Sequence, residues 1–174
     1  MTRKVPTIFT IGHSTQSLDE LVETLEKNGV TMLVDIRTVP RSRTNPQFNA
    51  DALAVDLPEN GIKYMHMADL GGLRHAKADS PNTVWENASF RGYADYMETG
   101  KFRQAVTELL ALAQQDQIAI ICAEAVWWRC HRGMVSDELV ARGVKVEHII
   151  GEKKHPHSLR SFARVQGHHV TYHR

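Results

Sequence analysis

The chain reads as an α/β fold: a three-layer sandwich around a mostly parallel, five-stranded sheet. Short apolar, β-branched runs at residues 7–11, 31–36 and 117–121 alternate with segments whose apolar residues recur every three or four positions. Strands that alternate with helices imply crossover connections, hence parallel pairing and helices on both faces of the sheet. A third observation is where the polar chemistry falls: Gly, Cys, His, Asp and Arg cluster directly after the apolar runs. That is the rim where open α/β sheets hold ligands.

Residues 7–11 predict the first strand, closed by Gly12. Ser17-Leu18-Asp19-Glu20 has the capping-box form, and Leu18, Leu21, Val22 and Leu25 make one helical stripe ended by Asn28-Gly29. Residues 31–36 give strand two, and residues 49–57 a helix stopped by Pro58. Residues 62–67 give strand three. The polar, Gly- and Pro-containing stretch 68–88 reads as a long surface loop with a functional or mobile character. Two helices follow, near 93–98 and 101–115, broken at Gly100; then strand four at 117–121, a helix at 133–141 ended by Gly143, and strand five at 144–150.

Length and composition set outer bounds. With 174 residues and 42% apolar content, a single domain over residues 1–174 with one core is expected. No apolar run approaches the length of a membrane span, and the N-terminus has no signal-peptide pattern. The reading is a cytoplasmic protein without membrane contact. Two cysteines make no disulfide framework; a pair within one turn suits reduced thiols.

The formal net charge is +1, unevenly spread. Residues 153–174 hold five Lys or Arg and no acid, so the preceding residues sum to −4. The tail from about 152 to 174 also holds five of the ten histidines. Such an end either contacts phosphates, as in nucleic-acid binding, or is solvated and frayed. It shows little aromatic interleaving and no nucleic-acid motif.

The richest segment is Ile121-Cys122-Ala123-Glu124-Ala125-Val126-Trp127-Trp128-Arg129-Cys130-His131-Arg132, which joins strand four to the following helix. Cys130, His131 and Arg132 fall at that helix's N-terminus, where N–H groups and the dipole favour an anion or a thiolate. Cys130 is therefore the expected nucleophile, while Cys122, at the end of a buried strand, is either a core residue or a second reactive thiol. Glu124, His131 and His13 are the acid–base candidates. Arg37, Arg41, Arg43, Arg74 and Arg132, with Ser14, Asp35 and the Gly71-Gly72 pair, are the ligand-binding candidates, since forked guanidinium donors suit phosphate, sulfate or carboxylate. Any of these arginines can instead pair internally with Asp35, Asp69 or Glu124. A metal held by Cys122, Glu124, Cys130 and His131 lacks the paired Cys-x-x-Cys spacing, and no metal or other cofactor is assigned.

These residues carry a resemblance. Thr10-Ile11-Gly12-His13-Ser14, Val34-Asp35-Ile36-Arg37 with Pro40-Arg41-Ser42-Arg43 and Pro46-Gln47-Phe48-Asn49, Leu70-Gly71-Gly72-Leu73-Arg74, Phe90-Arg91-Gly92-Tyr93-Ala94-Asp95-Tyr96-Met97, and Cys122-Ala123-Glu124 with Cys130-His131-Arg132 are five ordered motifs. In them, across roughly residues 7–157, the sequence resembles the domain of unknown function 488 family. The resemblance implies no activity. Many relatives have a charged, Pro-containing turn between the cysteines, whereas here Ala125-Val126-Trp127-Trp128-Arg129 stands there. The two tryptophans read as a stacking wall or as core anchors. The order strand, Cys-containing loop, helix, Gly, strand is also distantly similar to rhodanese-type sulfurtransferases.

The resulting expectation is a cysteine-dependent enzyme acting on an anionic, phosphate- or nucleotide-like small molecule. A non-catalytic module binding an anion or nucleic acid, and a metal-assisted hydrolase, are the alternatives. Oligomeric state is not set by the sequence.

Overall fold

The computed structural model describes residues 5–174. The elements in chain order are β1 (Thr7–Gly12), α1 (Leu18–Lys27), β2 (Met32–Asp35), α2 (Ala50–Glu59), β3 (Lys63–His66), α3 (Ala88–Met97), α4 (Gly100–Ala113), β4 (Ile118–Cys122), α5 (Arg132–Ala141), β5 (Lys145–Ile150), β6 (Lys153–Pro156), β7 (Arg164–Gln166) and β8 (His169–Thr171). The central sheet has the order β3-β2-β4-β1-β5-β6, with β6 antiparallel to β5 and the other pairs parallel. It thus has six strands rather than five. Lys153-Lys154-His155-Pro156 has no apolar alternation to reveal a strand, because its four side chains are exposed and only its backbone pairs. Lysines on such an edge also discourage pairing with another chain.

Strand alternation sorts side chains to two cores. Ile118, Ile120 and Cys122 of β4 face one side, with Met134, Val135 and Leu139 of α5 and the apolar faces of α3 and α4. Ala119 and Ile121 face the other, with Leu21, Val22 and Leu25 of α1 and Leu53 and Leu57 of α2. The period of two therefore points Cys122 toward α5. From β1 the chain crosses to β2 on one side; from β4 it crosses to β5 on the other, so the loops after these adjacent strands leave in opposite directions. A crevice opens at such a point. The register pairs Gly12 with Cys122, so both strands end at the same height.

Local signals explain most helix ends. Ser17 and Glu20 close the capping box of α1, Asn87 accepts from the N–H groups of Ser89 and Phe90 to start α3, and Thr99 caps α4. The Asn87 cap moves the start of α3 to Ala88, five residues before the expected onset. Pro58 sits inside the last turn of α2, which ends at Glu59. The 68–88 loop is pinned by one carboxylate: Asp95 accepts from Lys77 N–H (2.9 Å), Ser80 Oγ (2.6 Å) and Asn82 Nδ2 (2.8 Å). Among the described residues no helix is long and apolar enough to cross a membrane.

The basic C-terminal segment is packed rather than frayed. Val170 and Tyr172 are buried in the core, Tyr172 N–H donates to Asn82 Oδ1 (2.8 Å), and Tyr172 OH donates to Asp137 Oδ2 (2.6 Å). Three of its histidines meet acids: His157 meets Asp137, His169 meets Glu138 and His173 meets Glu98. The lone apolar positions Val170 and Tyr172 carry too short a pattern for a strand to be read from them. Tyr172→Ala is expected to lower unfolding free energy by about 3–5 kcal/mol, as for a large core aromatic. Urea unfolding measures it; an unchanged midpoint would mean the tail contributes nothing to the fold.

Candidate functional site

The loops after β1, β2 and β4, with residues from the 68–88 segment and α3, surround a cavity of about 650 Å³. That is within the range of small-molecule sites. Gly12 makes this convergence possible. A Cβ there would lie 1.6 Å from the Glu124 carbonyl oxygen, so only glycine lets the two strand-end loops come together. His13 N–H then donates to Cys122 O and Ser14 N–H to Ala123 O, both at 3.0 Å. Ser14 and Leu73 have φ of 49° and 58°. Both line the cavity, in a left-handed conformation that disfavours their side chains.

At the cavity floor lie Cys122 and Cys130, both free thiols, with sulfurs 2.8 Å apart. Arg132, fully buried as the first residue of α5, folds back to the end of β4. Its Nη1 donates to Cys122 Sγ (2.9 Å) and to Glu124 O (2.8 Å), and Nη2 to Ala125 O (3.3 Å). Among the described residues no carboxylate lies within ion-pair distance of this guanidinium; Cys122 is the group beside it that can carry a compensating negative charge. Burial opposes ionisation of Cys122, but the hydrogen bond from Cys130 and the charge of Arg132 outweigh it and bring the thiol down to about 7. The hydrogen bond that Cys130 gives to Cys122, with burial, pushes Cys130 far above the usual thiol range.

These contacts favour Cys122 over Cys130, which is the better of the two candidates from the sequence. Cys130 does receive a backbone N–H at the helix start, from Arg132 at 3.4 Å, but one amide is weaker than a guanidinium and a thiol donor together. The thiolate-stabilising contacts converge on Cys122. Chain order places Arg132 on the rim with the ligand-binding candidates, whereas through space its guanidinium lies on the Cys122 sulfur.

The two histidines are held neutral. His131 presents Nε2 to Ile36 O (2.8 Å) and turns Nδ1 toward Cys130 Sγ (3.5 Å). Burial, then the neighbouring charge of Arg132, brings it down to about 4. With Nε2–H donated to a carbonyl, Nδ1 is the lone-pair nitrogen facing the thiol. His13 is likewise lowered, by burial first; its Nδ1 meets Ser14 O (2.8 Å), its ring stacks on Phe48, and its Nε2 faces Arg37 Nη1 (3.4 Å).

The candidate arginines divide. Arg37 binds both oxygens of Asp35 through Nε (2.8 Å) and Nη2 (2.6 Å), and Nη2 also reaches Phe48 O (2.6 Å); Tyr64 OH completes the Asp35 shell at 2.6 Å. Asp35 and Arg37 thus form a buried pair that fixes the loop after β2, with the remaining nitrogen, Nη1, facing His13 Nε2 at 3.4 Å. Arg74 turns aside, lying over the Tyr96 ring at 3.8 Å and donating to Gly71 O and Ala68 O. Arg43 is exposed and does not line the cavity. Arg41 lines it, on a loop held by Ser42 N–H to Asn49 Oδ1 (2.7 Å) and Ala50 N–H to Pro40 O (2.9 Å).

Gly71 lets the chain pass close to Thr38, and Gly72 lets it pass close to the His131 ring, whose Nδ1 would lie 3.1 Å from a Cβ there. A Cβ on Gly71 would lie 2.4 Å from Thr38 Oγ1, and Thr38 Oγ1 donates to Gly72 O at 2.6 Å. Glu124 lines the rim with an exposed side chain, and its fixed part is the carbonyl. Cys122, Glu124, Cys130 and His131 do not converge as ligands: among the described residues no three His, Cys, Asp or Glu side chains are grouped to hold a metal.

Among the lining residues that the sequence does not single out as site residues, Arg129, Phe90 and Tyr93 carry the most chemistry. Arg129 is an exposed cation at the rim, and Phe90 and Tyr93 form an aromatic wall. Phe90 and Tyr93 stood in the fourth motif, and Arg129 stood inside the Cys-to-Cys loop, so position within the motifs was the usable signal. The two tryptophans take different parts: Trp127 stacks on His148 at 4.8 Å, while Trp128 is 52% exposed.

The chemistry sets three expected outcomes. In a pH series of iodoacetamide labelling read by mass spectrometry, Cys122 labels before Cys130, with a rate that rises through about pH 7; the opposite order would reverse the thiolate assignment. Arg37→Ala should destabilise the fold by about 3–5 kcal/mol, because it strands a buried Asp35; a change under 1 kcal/mol in urea would refute the structural pairing. His13 and His131 are both depressed on folding. Their contribution to stability is present above the unfolded histidine pKa of about 6.5 and is lost as pH falls toward their folded values. The melting temperature should therefore fall steadily from pH 7 to pH 5; a flat profile would show that these rings are not held neutral.

No curated protein and no solved structure matches the chain. A family model does match, over residues 17–139, running from the cap of α1 through the loop after β2, the Gly-Gly segment, α3 and both cysteines into α5. The matched stretch contains four of the five motifs and every cavity-lining loop except the one after β1. The chain belongs to the family described as Domain of unknown function DUF488.

Proposed function

We propose that this protein is a cysteine-dependent enzyme that acts on an anionic small molecule of phosphate- or nucleotide-like character, with Cys122 as its nucleophile. The single observation that carries the reading is the buried Arg132 guanidinium on Cys122 Sγ at the floor of a ligand-sized cavity. A fully buried guanidinium without a carboxylate partner needs an anion, and a thiolate meets that need. A thiol lowered by an adjacent guanidinium is more ionised at neutral pH than an ordinary cysteine, which favours its attack on an electrophilic centre.

Substrate charge would be met at the rim by Arg41 and Arg129, which are exposed beside the cavity. Phe90, half-buried at the cavity, supplies an apolar face suited to a ring or base, backed by the buried Tyr93. Cys130 keeps the nucleophile ionised through its hydrogen bond. A small-molecule ligand is favoured over nucleic acid, because several tail cations and histidines are spent on internal partners: Arg160 lies over Trp85 and Trp127, and His157, His169 and His173 meet acids. Two reduced thiols in one turn suit a cytoplasmic setting.

Inorganic phosphate is the probe that tests this. In wild type, phosphate should raise the melting temperature and slow iodoacetamide labelling of Cys122. In the Arg41→Ala/Arg129→Ala double variant both effects should shrink severalfold. No protection in wild type would remove the anion site. A panel of p-nitrophenyl phosphate, sulfate and acetate esters then separates catalysis from binding: turnover lost in Cys122→Ser supports the enzyme, and phosphate protection with no turnover on any ester favours a binding module.

A further inference from the structure

We propose that Cys122 and Cys130 are a two-electron dithiol–disulfide couple, oxidised by a hydroperoxide that enters the cavity. This rests on the reading of Cys122 as the thiolate and goes beyond it by giving Cys130 a chemical part. The sulfurs are 2.8 Å apart and both thiols are free. A disulfide bond of about 2.05 Å needs the pair to close by less than one ångström. Both cysteines line the same cavity, so a small oxidant that reaches one reaches both.

The identity of the second residue is informative. If position 130 served only to donate a hydrogen bond to the Cys122 thiolate, a hydroxyl would do so more strongly than a thiol. What a second sulfur adds at that distance is oxidation. His131 is placed for that step, since its Nδ1 lies 3.5 Å from Cys130 Sγ with the other nitrogen on Ile36 O.

The chemistry balances in two steps. Cys122 thiolate attacks the terminal oxygen of the hydroperoxide; the O–O bond breaks, the leaving alkoxide takes a proton from solvent as an alcohol, and Cys122 becomes a sulfenic acid. Cys130 sulfur then attacks Cys122 sulfur as the S–O bond breaks, and the Cys130 proton, relayed by the adjacent His131 Nδ1, passes to the departing hydroxide, which leaves as water. One hydroperoxide and two thiols give one alcohol, one water and one disulfide. A dithiol reductant of the thioredoxin or dithiothreitol class restores the pair by exchange.

The structure also bears on how firmly the oxidised form is held. Disulfide formation removes the thiolate from Arg132, leaving the guanidinium buried without an anion. That penalises the disulfide relative to the dithiol, so the couple is more oxidising than a structural disulfide and is readily reduced.

The test uses full-length, reduced protein and hydrogen peroxide at one molar equivalent. Trypsin cleaves after Arg103, Arg129 and Arg132, so Cys122 and Cys130 fall on separate peptides that only a disulfide can join. Wild type should lose both iodoacetamide-reactive thiols and yield this linked pair, which dithiothreitol separates. Cys130→Ser should stop at a Cys122 sulfenic acid trapped by dimedone, and Cys122→Ser should leave Cys130 reduced. Independent over-oxidation of the cysteines without the linked pair would overturn the proposal, as would a Cys130 that oxidises equally well in Cys122→Ser. If Cys122 alkylates first at pH 7 yet never joins Cys130, the couple fails while the nucleophile reading stands. If Cys122 neither alkylates nor oxidises, both fail.

Discussion

A guanidinium taken wholly out of water must be given an anion, and Arg132 organises the site around that requirement, although its buried Nε is left without a hydrogen-bond partner. Its Nη1 and Nη2 bind the Cys122 sulfur and the carbonyls of Glu124 and Ala125, so one side chain both charges the thiol and shapes the loop that follows it. The arrangement depends on three local facts. Cys122 shares the face of Ile118 and Ile120, which puts its sulfur on the α5 side. Arg132 is the first residue of α5, so it can reach back across the loop. Gly12 has no Cβ, so β1 can run against the Glu124 carbonyl that Arg132 also holds.

The underside of the loop is fixed by a second buried network. Thr10 Oγ1 meets His148 Nδ1; His148 Nε2 meets His157 Nδ1 at 2.8 Å; His157 Nε2 meets Asp137 at 2.7 Å, and Tyr172 OH takes the other Asp137 oxygen. One direction of donation satisfies every ring nitrogen with neutral histidines: Thr10 to His148, His148 to His157, His157 to Asp137. Burial, reinforced by the charge of neighbouring groups, depresses His148 strongly. Trp127, from the Cys-to-Cys loop, lies flat on His148, and Arg160 of the C-terminal segment lies over Trp127. The tail is thus connected to the thiol loop through a stack of rings, and a polar network this complete specifies one arrangement.

The arginines illustrate how charge and function separate on one rim. Arg37 and Arg132 are the most buried of the candidates and are spent on internal partners, Asp35 and Cys122. Arg41 and Arg129, which are exposed at the cavity, keep their heads toward solvent. A buried guanidinium is held by the fold, whereas an exposed one beside a cavity is available to a ligand at little desolvation cost.

The local order of the chain was legible from its residues. Alternation and helical stripes located the five parallel strands and the helices between them, and the capping box and the Gly stops marked several ends, because these signals act over a few neighbouring residues. The strand-end motifs also pointed to the rim on which the cavity is found. Tertiary structure decided what depends on distance through space. It made Cys122 rather than Cys130 the centre of thiolate-stabilising contacts, paired Arg37 with Asp35, turned Arg74 onto Tyr96, and folded a basic, histidine-rich tail into an edge strand and a core-packed hairpin. A thiol's charge state is set by whichever donors lie within about 3 Å of it, and those donors come from residues far from it along the chain or across a turn whose shape no periodicity encodes.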